Sequence, residues 1–221
     1  MERGLLLVDT DPGVDDALAI LMACQHAVLA ALTVTAGNVG LRNTLDNALK
    51  LVEIMGTQTP VFAGCLVPLV HPAADAAFVH GADGFGDTGY TRSSAVVSAE
   101  HAALAILRLS RERAGALTLV ALGPLTNLAL ALRLDPELPQ RVRRLVVMGG
   151  AVSGRGNTAQ VPAEFNIGFD PEAAHIVFSH WPEFDLVDWE LTLRHGLDFD
   201  VVDRWLERGD ARAHFFAAIS R

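Results

Sequence analysis

Short runs rich in Leu, Val and Ala, far too short to span a membrane and separated by helix-periodic stretches, constrain this chain more than any other feature. They occupy residues 5–8, 31–36, 117–122, 145–148 and 184–187, with a weaker candidate at 60–63. A strand that is apolar on both sides must be covered on both faces, as in a parallel sheet between helices. Residues 15–24, 41–55, 99–113, 125–132, 171–178 and 201–207 carry the patterning that would supply the covering layers. The alternation predicts an α/β fold: an open, mostly parallel, Rossmann-like sheet with helices on both faces. No repeat, low-complexity tract or linker interrupts it, so residues 1–221 are read as one domain.

Composition narrows the partners. The net charge is -9 and no Lys/Arg stripe is present, which argues against nucleic acid and against an anionic membrane surface. Lys50 is the only lysine, so lysine chemistry is confined to one position. The two cysteines, Cys24 and Cys65, form no CxxC or Cys/His cluster, so zinc ribbons and disulfide frameworks are not expected. The N-terminal apolar run is broken at Asp9, before it could serve as a signal segment. The expected location is the cytoplasm.

Ligands of open parallel sheets bind beyond the carboxyl ends of the strands. The first run is followed by DTDPGVDD (residues 9–16) and the second by GNVG (37–40). GPLTN (123–127), GGAVSGRGNTAQVPAEFN (149–166) and DWELT (188–192) follow the later ones. Carboxylates, carboxamides and glycines therefore collect at one edge. Residues 71–94, which contain HGADGFGDTGY, lack any period. They read either as a surface loop or as a flap over a site.

Asp9, Asp11, Asp15 and Asp16 are expected to crowd one small volume around a Pro12–Gly13 turn. In the bland reading two of them cap a helix and the others are solvated. Like charges so close are costly without compensation. An all-oxygen donor set points to Ca²⁺ or Mg²⁺ rather than zinc or copper. An EF-hand does not fit, because Ile20 stands where that loop needs its Glu.

DTDPGVDDALAIL resembles the N-terminal signature of the nucleoside hydrolases, the inosine–uridine-preferring nucleoside N-ribohydrolase family. The likeness continues through TVTAGNVGLRNTLDNALKLVEIMG, ALGPLTNLALALR, VVMGGAVSGRGN and AEFNIGFDPEAAHIVF, in the family's order. The resemblance implies hydrolysis of the N-glycosidic bond of ribonucleosides to ribose and free base. It implies a bound Ca²⁺ held by Asp11, Asp16 and the backbone carbonyl of Leu122, with Asp11 also the general base that activates water. Asp15 would bond a ribose hydroxyl, and Asn38 would lie beside the ribose and the water. Asn157, Glu164 and Asn166 would bind the ribose, and His80 matches a flap position near the substrate. Family members often form homodimers or homotetramers. The residues suit the chemistry: glycosidic cleavage builds positive charge on the sugar, which carboxylates and amide oxygens stabilise.

Some features depart from the family. Asn157 and Glu164 are one residue further apart than expected, and Glu190 of WELT stands where many members have Asp. Glu164 and Asn166 could instead cap the helix that follows them. Family members continue to a His-Asp pair that completes the calcium sphere, and no such dipeptide follows Val187. The chain is therefore expected to be C-terminally incomplete relative to the family. Two other readings are a truncated or degenerate, non-catalytic ribose- or nucleoside-binding homologue and a haloacid-dehalogenase-like phosphatase.

Overall fold

Leu7 and Val8 are chain neighbours, both shielded from solvent, and they enter different hydrophobic cores. That is the signature of a strand covered on both faces. The computed structural model describes residues 3–158 and 162–220. The first half of the chain contains β1 (Leu5–Thr10), α1 (Val14–His26), β2 (Val28–Val34), α2 (Leu41–Met55), β3 (Val61–Ala63), α3 (Ala77–His80) and α4 (Ala102–Glu112). Then come β4 (Leu117–Ala121), α5 (Thr126–Leu134), α6 (Leu138–Arg141), β5 (Arg144–Met148), α7 (Phe165–Phe169) and α8 (Pro171–His180). The chain continues through β6 (Asp185–Val187), α9 (Trp189–Arg194), α10 (Phe199–Leu206) and α11 (Ala211–Ile219).

The six strands form one sheet in the order β3-β2-β1-β4-β5-β6, and every pairing is parallel. The order reverses between β1 and β4, the position where open parallel sheets bind ligands beyond the carboxyl ends of their strands. One core lies under α4, α5 and α8 and includes Leu7, Leu119, Leu145 and Val147. The other lies under α1, α2 and α11 and includes Val8, Leu32 and Val34. No helix among the described residues is long and apolar enough to cross a membrane.

Helix α2 occupies the expected residues, ending at Gly56, whose left-handed φ of 66° closes it. Helix α4 starts later than expected, because the His101 side chain accepts the Ala103 N–H and caps it there. Helices α3, α6, α7 and α9 had no counterpart in the sequence reading; at four to six residues they are too short to show a period. Asp170 ties several elements together. It caps α8 through the Ala173 N–H and accepts the Thr126 hydroxyl of α5 and the Leu69 N–H.

Residues 71–94 do more than cross the surface. Phe85 is fully buried and packs against Tyr90 and Phe215, with ring centroids 5.5 Å away in each case. The Asn47 amide of α2 donates to the carbonyls of Pro12 and Asp83, both at 2.9 Å. The segment is thereby fastened to the turn that follows β1.

Candidate active site

The carboxylate of Asp11 is buried at the switch point between two glycines. A Cβ at Gly37 would fall on Asp11 Oδ2, and one at Gly123 would fall on Oδ1. Oδ2 accepts the Asn38 N–H at 2.7 Å. Oδ1 is buried and meets no hydrogen-bond donor. The Asn38 side-chain amide donates to the Asp11 carbonyl at 3.1 Å and to Asp16 Oδ2 at 3.2 Å. Asp16 also accepts the Thr10 hydroxyl at 2.5 Å and the Gly13 N–H at 3.1 Å, which fixes it in the first turn of α1. Burial raises both acids. Asp11 stands well above the usual carboxylate range, with repulsion from Asp16 adding to desolvation. Asp16 is pushed up to about 7 by burial and by Asp15.

The expectation of four crowded carboxylates needs correction. Asp9 turns into the sheet interior, where Oδ1 accepts the Thr33 hydroxyl at 2.6 Å and the Asn127 amide at 2.9 Å. Its burial lifts it to about 7. Strand β1 ends at Thr10, so strand alternation does not carry Asp9 and Asp11 to one point. Asp15 points outward, its side chain 76% exposed, and lies 3.9 Å from His80 Nδ1. His80 Nδ1 also receives the Val14 N–H at 3.3 Å, which leaves the ring proton of the neutral form on Nε2. Burial lowers the basicity of His80, partly opposed by Asp15. A Cβ at Gly13 would meet His80 Nδ1 at 2.7 Å and Asn38 Nδ2 at 2.8 Å. Gly13 is extended, so glycine is required there for close approach and not for a left-handed turn.

The remaining candidates come from the loop after β5. The Asn166 amide donates to the Leu122 carbonyl at 2.7 Å and to the Met148 carbonyl at 3.2 Å, bridging the ends of β4 and β5. Glu164 is buried. Its Oε1 accepts the Asn166 N–H, and its Oε2 accepts the N–H groups of Gly150 and Ile167. Burial raises its pKa despite these three donors. Glu164 therefore does cap a helix, but that helix is α7, while α8 is capped by Asp170. Asn157 is exposed, and its side-chain oxygen accepts the Phe165 N–H at 2.8 Å. Sequence reasoning missed Thr10, Gly37 and Gly123 as parts of the site. The only signal for the glycines was their place directly after a strand.

The donor set is oxygen-only, and one buried carboxylate oxygen lacks a partner, as a hard cation requires. Among the described residues no three His, Cys, Asp or Glu side chains converge on one point. The Leu122 carbonyl keeps one lone pair beyond its bond to the Asn166 amide.

Residues 6–221 match the family model described as inosine-uridine preferring nucleoside hydrolase. The chain belongs to this family. The phosphatase reading falls with that match. Among nucleoside hydrolases, the non-specific ribonucleoside hydrolase RihC of Salmonella newport is 39% identical over 201 residues, and so is that of Salmonella typhimurium. The alignment covers 90% of this chain and 65% of the relative, so the chain spans about two thirds of that length. A solved inosine-guanosine nucleoside hydrolase superposes with a TM-score of 0.89 at 35% identity, covering 98% of this chain and 72% of the other. The purine-preferring ribonucleoside hydrolase from Gardnerella vaginalis gives 0.91 at 30% identity, covering 97% and 70%. These likenesses bear out the nucleoside hydrolase fold expected from the sequence.

Proposed function

We propose that this chain carries the sugar-binding residues of a ribonucleoside hydrolase that cleaves the N-glycosidic bond to ribose and free base. The observation that carries the reading is Asp11. A buried, unpartnered carboxylate oxygen, walled by two glycines, suits a general base that takes a proton from an attacking water. Asp11, Asp16 and the Leu122 carbonyl would hold the cation, calcium being the ion that such a donor set fits. When bound, that cation supplies positive charge that orients hydroxyl groups and eases deprotonation of water. Asn38 holds both carboxylates in register through its backbone and side chain. Asp15, exposed beside His80, would accept a ribose hydroxyl. Asn157, Glu164 and Asn166, from the loop after β5 and the start of α7, would pair with the remaining hydroxyls. His80, whose Nε2–H is free of Val14, would meet the substrate from the 71–94 segment.

The test is release of ribose from inosine and uridine, with calcium and after chelation. Asp11→Ala should lower turnover by at least about 10³-fold, since it removes the base and a ligand together. Binding of nucleoside without turnover in the wild-type chain would instead support the non-catalytic homologue. An Asp11→Ala variant with wild-type turnover would refute the assignment of the base.

A further inference from the structure

The loop that presents the sugar-side residues is braced by a carboxylate no part of the reaction uses. Glu190, in the first turn of α9, reaches across to the loop after β5. Its Oε1 accepts the Ser153 N–H at 2.8 Å and the Ser153 hydroxyl, and its Oε2 accepts the Val152 N–H at 3.2 Å. Helix α9 does not need this side chain for its own start, because Asp188 caps it through the Leu191 N–H. The same junction is stitched by the Trp189 N–H, which donates to the Gly150 carbonyl at 2.8 Å. The other side of residue 150, its N–H, donates to Glu164 Oε2 at 2.9 Å. Loop residues 150–153 thus lie between two carboxylates, one at the sugar side of the site and one on α9.

We propose that Glu190 is a positioning residue for sugar binding: by gripping Val152 and Ser153 it sets Gly150, and Gly150 sets the Glu164 carboxylate. This rests on the hydrolase reading above. Backbone N–H groups bound to a carboxylate form charge-assisted bonds, roughly twice as strong as neutral ones. Glutamine at position 190 keeps the shape but has a single acceptor oxygen, so its NH₂ would face an N–H donor. The loop also carries its own reporter. Arg155, two residues beyond Ser153, is exposed and offers trypsin a cut within the segment.

The experiment compares Glu190→Gln and Ser153→Ala with the wild-type chain by trypsin cleavage after Arg155, melting temperature, and kinetics with inosine in calcium. Glu190→Gln should be cut about tenfold faster and show KM raised about fivefold to tenfold, with kcat within about twofold. Its melting temperature should stay near wild type, because the Asp188 cap remains. Ser153→Ala, which removes one of the three contacts, should shift both readouts the same way and less. Unchanged cleavage would overturn the grip on the loop. Faster cleavage with unchanged KM would overturn the link to the sugar. A fall in kcat at constant KM would also overturn the proposal, since it would place the effect at the reacting atoms. A wild-type chain that neither releases nor binds ribose would sink the hydrolase reading and the positioning role together. Cleavage at Arg155 would still report whether Glu190 holds the loop.

Discussion

Gly37 and Gly123 approach the Asp11 carboxylate from the ends of β2 and β4, and neither leaves room for a methyl group. Gly123→Ala should therefore displace the carboxylate rather than unfold the chain. Displacement of a catalytic group by about 1 Å can cost on the order of 100-fold in rate. Gly40→Ala is the control: that glycine has φ −61° and nothing within 4 Å of an added Cβ. It should lose only about 1 kcal/mol at the start of α2 and keep its turnover. Initial rates and melting temperatures of the two variants decide this. Glu190 gives a second test. Its contacts with Ser153 and Val152 hold its pKa down to about 2. The folded value lies below the unfolded one, so the loop is held above pH about 4.5 and released as pH falls towards 2. The Val152 and Ser153 amide resonances should titrate with a midpoint well under 4.5, and a midpoint at the ordinary glutamate value would contradict the contacts. The motifs after the strands put Asp11, Asp16 and Asn38 at one edge, but only the family resemblance, not position, set Asp11 and Asp16 apart from Asp9 and Asp15. The separation of Asp9 was not legible, because it depends on where β1 ends relative to Asp11. Gly13 was read as a turn residue, and only coordinates reveal His80 and Asn38 pressing on it.

Asp170 shows how one polar side chain can join elements. It serves α8 as N-cap, holds α5 through Thr126, and holds the stretch after β3 through the Leu69 N–H, all while fully buried. Asp170→Ala would leave those donors unsatisfied and remove a cap. Each loss is worth about 1–3 kcal/mol, though the sum is not additive. The denaturant midpoint should fall sharply while the slope stays the same, and a shift within error of zero would refute the role. From the sequence DPEAA could be read as a helix start, and α8 does begin at Pro171. The distant partners of the Asp were beyond reach, since Thr126 and Leu69 are brought to it only by the sheet order. Helix α11 was missed for a different reason. Its sequence, ARAHFFAAI, is apolar nearly all round and shows no single face.

At the scale of the molecule, alternation of apolar runs and helices was enough to foresee a parallel sheet covered on both faces, because period and length distinguish its elements. Strand order was not legible, since pairing between distant strands leaves no local mark. Nor was the attachment of residues 71–94 through Phe85 to α11. Phe85→Ala should cost about 3–5 kcal/mol. It should also speed amide exchange in residues 81–90 and in α11 together, because Phe85 and Phe215 share one aromatic cluster. Faster exchange in only one of them would argue against that coupling. The strand order has a further consequence for a chain emerging from the ribosome. β1 can pair with β2 early, but its other edge waits for β4, since Leu5 is bonded in register with Leu117. Until then the growing chain carries an open, apolar strand edge, the kind that recruits neighbours into aggregates. Asp11, Asp16 and Asn38 are all made before that wait, and Leu122 and Gly123 only after it. This edge of the sheet therefore forms only when the sheet does, and a nascent chain cannot bring Asp11 and Leu122 together before its two halves have met.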